Sequence, residues 1–139
     1  MLDGALIGAV IGCVVAGCML LIAFARRGTV SGQRIGGRRR EVPAAAAPDA
    51  VFARLAAMGA PYRVDDSDAG ERRLVLSTRP SIASFGFFYP IEIHARPDGG
   101  STVHVGIASK VFQYGPLVTR WHKKAEQAIA AQVTVPSAR

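Results

Sequence analysis

From Gly4 to Ala25 the chain runs for 22 residues without a charged side chain. As a helix rising about 1.5 Å per residue, that run is roughly 33 Å long, close to the thickness of a bilayer's hydrocarbon core. Its flanks are unequal. Met1, Leu2 and Asp3 precede it, whereas Arg26, Arg27, Arg34, Arg38, Arg39 and Arg40 follow, with no acid among residues 26–40. Positive charge accumulates on the cytoplasmic side of a span. The expected arrangement is a single-pass anchor of the inner (cytoplasmic) membrane, residues 1–27, with its N-terminus outside and all later residues inside.

Two processing signals compete with this reading. "VAGC" (15–18) resembles a bacterial lipobox, and "AFA" (23–25) resembles a signal-peptidase site. Either would place the remainder outside. A secretory signal carries its positive charge before a shorter apolar core. Here the charge follows, and the apolar residues continue through "MLLIAFA" past Cys18. An uncleaved anchor fits both flanks better.

Inside the run, Gly4, Gly8, Gly12 and Ala16 recur at every fourth residue. Residues four apart stack on one helix face. Ala9, Cys13 and Gly17 widen the resulting stripe. Lipid tails are as apolar as leucine, so membrane helices associate by close packing, which small side chains permit. The stripe is expected to pack against a membrane-protein partner or a second copy of the chain.

A net charge of +7 suits nucleic acid only until it is divided along the chain. Residues 26–40 hold six arginines, while residues 41–139 hold eleven basic and nine acidic residues. The excess is juxtamembrane, where each charge contributes about 1 kcal/mol near anionic headgroups. Membrane lipids, rather than nucleic acid, are the expected partners of Arg26, Arg27, Arg38, Arg39 and Arg40. Both cysteines, Cys13 and Cys18, lie in the apolar run. The remainder therefore forms no disulfide and offers no cysteine to a metal.

Residues 28–48, "GTVSGQRIGGRRREVPAAAAP", read as a flexible tether. Residues 49–133 read as one soluble domain and 134–139 as a disordered tail. Asp49 is the expected N-cap of a helix over 50–58, with Val51, Phe52, Leu55 and Met58 on one face. "YRV" (62–64) is a brief extended piece and "DDSDAGE" (65–71) a polar turn. "RRLVLSTR" (72–79) and "PSIASFGFFYP" (80–90) have strand composition. "IEIHAR" (91–96) and "STVHVGIAS" (101–109) alternate cleanly. Opposed residues share a face. A three-residue loop at Asp98-Gly99-Gly100 then pairs Ile93 with Val105, Ala95 with Val103 and Ile91 with Ile107, and it sets His94 opposite His104. Pro116 opens a final helix. Leu117, Val118, Trp121, Ala125, Ala128 and Ile129 form its apolar face. Arg120, His122, Lys123, Glu126 and Gln127 form its polar face.

After the anchor the expected order is α-β-β-β-β-α. Two helices would cover one face of an antiparallel sheet of three or four strands, a two-layer α+β sandwich. In outline this resembles a reduced helix-grip domain, in which a curved sheet wraps a long C-terminal helix. The likeness is one of topology.

No motif for phosphate binding, zinc hydrolysis or a serine nucleophile occurs. "DDSD" (65–68) lacks the glycine and closing glutamate of a calcium loop. Glu92, His94 and His104 share a sheet face and are the one constellation suited to acid–base work or a metal, though an exposed polar face explains them as well. No cofactor or metal is expected. Phe85, Phe87, Phe88 and Tyr89, with Phe112 and Tyr114, form two aromatic segments, and adjacent Phe87 and Phe88 must face opposite ways in a regular strand. Arg120, Lys123 and Lys124 sit near the positive end of their helix, where cations are disfavoured unless an anionic partner is present. Together these residues make a candidate docking surface. The expected function is a non-enzymatic accessory or interaction protein, a small subunit or partner of an inner-membrane complex. The alternative is a membrane-tethered domain that binds a lipid or small apolar ligand.

Overall fold

Alternating residues set the centre of the sheet. The computed structural model describes residues 3–81, 84–111 and 115–134. The strands are β1 (Arg40–Ala44), β2 (Tyr62–Asp68), β3 (Arg73–Thr78), β4 (Phe87–Ala95), β5 (Ser101–Val105) and β6 (Ala108–Ser109). They form one antiparallel sheet in the order β1-β5-β4-β3-β2, with β6 beside the start of β4. The helices are α1 (Gly4–Ala25), α2 (Pro48–Ala56) and α3 (Pro116–Thr134). The fold is therefore α+β with an apolar N-terminal helix. Its sheet has six strands, not three or four.

The added strand comes from the expected tether. Arg40–Ala44 pairs along β5, placing Val42 and Ala44 in the core and Glu41 and Pro43 outside. Pro43 is tolerated because β1 is an edge strand. The expected "DDSDAGE" turn is also largely strand, since β2 continues to Asp68. β4 runs through Pro90 instead of ending there. The Pro90 carbonyl accepts a hydrogen bond from the Gly106 amide, so its missing N–H falls on the same side, at the gap between β5 and β6. A proline at an interrupted ladder removes no bond.

The inner face carries Leu74, Leu76, Phe87, Tyr89, Ile91, Ile93, Val103 and Val105. α2 covers it with Val51 and Leu55, and α3 with Val118, Ala125, Ile129 and Val133. α2 starts at Pro48, with Ala47 as its N-cap. Asp49 lies in the first turn and accepts a hydrogen bond from Arg72 Nε at 2.6 Å. His122, expected on the polar face of α3, is buried instead, with Nε2 2.9 Å from the Val105 carbonyl oxygen. It completes the stripe Val118, His122, Ala125, Ile129, Val133, whose spacing of three and four is that of a buried helix face.

The hairpin between β4 and β5 keeps the expected faces but not the expected pairs. Ile91 opposes Val105, Ile93 opposes Val103 and His104 opposes Glu92. The loop is Pro97-Asp98-Gly99, closed by the Arg96–Gly100 hydrogen bond, with Gly99 at φ +83°. A slip of two residues leaves every side chain on its own face.

Candidate functional site

The outer face of the sheet changes character along the strands. At the end nearest α1 it is apolar, with Val75, Phe88 and Pro90. Beyond that it is polar. The apolar part is covered by the segment that leaves α1. Gly28 is buried there, and a Cβ added to it would lie 2.5 Å from Val75 Cγ1 and 2.9 Å from Phe88 Cδ1. Ile35 lies against Gly106, beside Pro90. Phe87 and Phe88 do face opposite ways, and both are buried. Phe87 meets Trp121 on the helix side with ring centroids 6.1 Å apart, and Phe88 lies beneath the linker.

Two carboxylates fasten that linker. Asp65 Oδ2 accepts the Gly28 amide and Asp66 Oδ2 accepts the Val30 amide, each at 2.8 Å. A β-bulge between Val64 and Asp66 makes this possible. In a regular strand, neighbours alternate faces; a bulge inserts one residue and re-aims its side chain. Both acids can then address amides two residues apart on one extended segment. The Asp65 side chain is 0% exposed and also accepts from Arg63 Nε and Ser77 Oγ. Burial alone would raise its pKa. The hydrogen bonds from Gly28, Arg63 and Ser77, with the Arg63 charge, outweigh burial and hold it below the ordinary carboxylate value.

Arg26, the first residue after α1, donates to the Lys110 carbonyl at 2.5 Å. Lys110 itself is buried with its ammonium 5.1 Å from the Phe88 ring centroid, and burial lowers its pKa. The segment that leaves α1 is thus joined to the domain by several contacts. Residues 28–30 and 40–44 are not free tether.

The polar part is a row across four strands: Glu41, His104, Glu92 and Arg73, each opposite the next. Arg73 pairs with Glu92 at 3.2 Å, and His104 Nδ1 lies 3.4 Å from Glu41. His94 stacks edge-on against His104 with centroids 4.8 Å apart, although they sit diagonally and not opposite each other. Burial, Arg39 and His94 lower the His104 pKa, so this imidazole favours its neutral form. Among the described residues, no three His, Cys, Asp or Glu side chains are placed to hold a metal ion. A cleft of about 760 Å³ lies beside the row, lined by Arg34, Arg39, Glu41, Arg73 and Glu92 and by linker residues 35–37.

The remaining candidates divide. Gly4, Gly8 and Gly12 lie on exposed α1 surface, and nothing stands within 4 Å of a Cβ added at any of them; Ala16 is exposed as well. Arg27 and Arg38 are exposed, but Arg39 pairs with Glu41 at 3.0 Å and Arg40 with Glu126 at 2.6 Å. Phe87, Phe88 and Tyr89 are core residues and present no docking surface. Phe85 is half-buried, whereas Phe112 and Tyr114 lie outside the described residues, as does the expected tail beyond Thr134. Arg120, Lys123 and Lys124 are exposed on the first turns of α3 beside Leu117 and Trp121. The Asp65–Asp66 pair was missed in the sequence because "DDSD" has the composition of a turn. The strand-like spacing of Tyr62 and Val64 running into it was the available signal.

No protein-family profile matches the chain, and no curated protein matches it. Among solved structures, Ara h 8.0201 is similar at a TM-score of 0.49 and 12% identity, over 68% of this chain and 92% of that one. A protein from Thermobifida fusca, solved by NMR, is similar at a TM-score of 0.41 and 18% identity, over 68% of this chain and 83% of that one.

Proposed function

We propose that this chain is a non-enzymatic, membrane-anchored interaction module: α1 crosses the inner membrane, and the α+β domain is held at the cytoplasmic surface in a fixed orientation. α1 is long and apolar enough to span a membrane. The observation that carries the reading is the fastening of residues 26–30 to the outer sheet face through Lys110, Asp65 and Asp66. A domain that only needed tethering would gain nothing from that order, which costs conformational entropy. The arginines after α1 support the cytoplasmic side. The small-residue stripe supports a helix partner, and its open surface is where that partner packs.

Purification in mild detergent tests the reading. Stoichiometric co-purifying membrane protein, or a dimer of this chain, is the expected result. Gly8→Ile with Gly12→Ile should leave insertion intact and weaken that association. A monomer carrying only bound lipid would overturn it. That outcome would favour a ligand-binding domain, for which one observation speaks. The Tyr89 hydroxyl is buried between sheet and helix beside Thr78, without a well-formed hydrogen bond among the described residues.

A further inference from the structure

The end of α1 and the start of α3 lie at the same end of the sheet. Arg26 holds the Lys110 carbonyl, and α3 begins at Pro116, a few residues further along the chain. Trp121 packs on Phe87, whose neighbour Phe88 lies beneath Gly28. If α1 ends at the membrane surface, the first turns of α3 are brought to that surface too. Those turns are amphipathic in an unusual way. Their inward stripe is Val118 and His122. Their outward side carries Leu117, 36% exposed, and half-buried Trp121, set among Arg120, Lys123 and Lys124.

The cations have no acidic partner among the described residues. Glu126, the one acid of α3, is taken by Arg40. Lys124 places its ammonium 4.9 Å from the Trp121 ring centroid instead. Three cations clustered on one exposed helix face repel one another, so an external anion would relieve them. An exposed leucine and a half-buried tryptophan with arginine and lysine around them match the headgroup boundary of an anionic bilayer, where indole rings settle and basic residues meet phosphate.

We propose that Leu117, Arg120, Trp121, Lys123 and Lys124 form a second membrane contact, binding anionic lipid headgroups beside the α1 anchor. The proposal rests on α1 being anchored. A purely acidic protein surface would satisfy the charges but gives the exposed Leu117 no apolar partner.

Trp121 is the chain's single tryptophan, so its fluorescence reports this site alone. The test is the full chain reconstituted in vesicles containing headgroup-proximal brominated lipid, either all-phosphatidylcholine or with about a third phosphatidylglycerol. The expected result is at least threefold stronger quenching with the anionic lipid. Arg120→Glu with Lys123→Glu should abolish that difference while flotation of the protein with vesicles is unchanged. Equal, weak quenching in both vesicles, with the protein firmly co-floating, would overturn the contact and leave the anchor standing. Loss of the protein from alkaline-washed vesicles would overturn the anchor, and the contact with it.

Discussion

Two stretches of this chain are strongly basic, and they end up in different places. Of the six arginines after α1, three find partners within the chain: Arg26 a backbone carbonyl, Arg39 Glu41 and Arg40 Glu126. The cations at the start of α3 stay outward, with no carboxylate partner among the described residues. The two stretches look alike in composition. Acids within reach separate them, since Glu41 shares β1 with Arg40, and Glu126 lies on the α3 turn that packs against β1. A basic run predicts attraction; the supply of nearby acids decides whether the attraction is internal.

The largest effect should come from releasing the linker. Asp65→Ala leaves the Gly28 amide, Ser77 and Arg63 without their acceptor, at a cost of roughly 3 kcal/mol. Chemical denaturation in detergent would measure it, and amide exchange at Gly28 should accelerate. Because the Asp65 pKa is depressed in the folded state, its contribution is complete above the ordinary carboxylate value and is lost as pH falls through the lower folded value. An Asp65→Ala variant no more labile than the parent would make the linker as free as its composition suggested.

A smaller effect separates the two basic stretches directly. Arg40→Ala should cost about 1 kcal/mol, because the Arg40–Glu126 pair is partly buried and joins β1 to α3. Arg120→Ala should change stability by less than about 0.5 kcal/mol. Equal losses would mean that Arg120 has an internal role after all.

The smallest effect concerns His122. Burial lowers its pKa, against the hydrogen bond to Val105, which raises it. The neutral ring therefore contributes stability above the ordinary value of about 6.5, lost as pH falls from there towards the folded value. His122→Gln can keep a bond to the Val105 carbonyl but cannot titrate. The variant's stability should vary less between pH 7 and 5 than the parent's. An unchanged slope would assign the acid sensitivity to His104, whose pKa is lowered as well.

Elements with a strong period were legible in the sequence. α1 follows from its uncharged run, the α3 start from Pro116, and the faces of β4 and β5 from apolar alternation. β1 was not, because "REVPA" offers only Val42 and Ala44 to the core and contains a proline; pairing with β5 makes it a strand. The hairpin register failed for a related reason. Gly99 and Gly100 look equivalent, but only Gly99 takes the left-handed turn position. Gly100 is small because β1 crowds it: an added Cβ would lie 2.6 Å from the Ala44 carbonyl oxygen. The linker site was hidden for the same reason as β1. A bulge and a buried glycine are visible only once the sheet beneath them exists. His122 is a misplacement that spacing alone corrects, since it completes the buried stripe Val118, His122, Ala125, Ile129 and Val133.

With residues 26–30 fastened to the sheet, α1 and the domain should move as one body. Spin labels at Ile22→Cys and Arg79→Cys, with Cys13 and Cys18 replaced by serine, report the distance between the end of the span and the far side of the linker. In lipid nanodiscs, pulsed dipolar spectroscopy should give a single narrow distance distribution that broadens when Asp65→Ala and Asp66→Ala are added. A parent distribution already as broad as that variant's would contradict the account: the domain would then hang from a flexible tether.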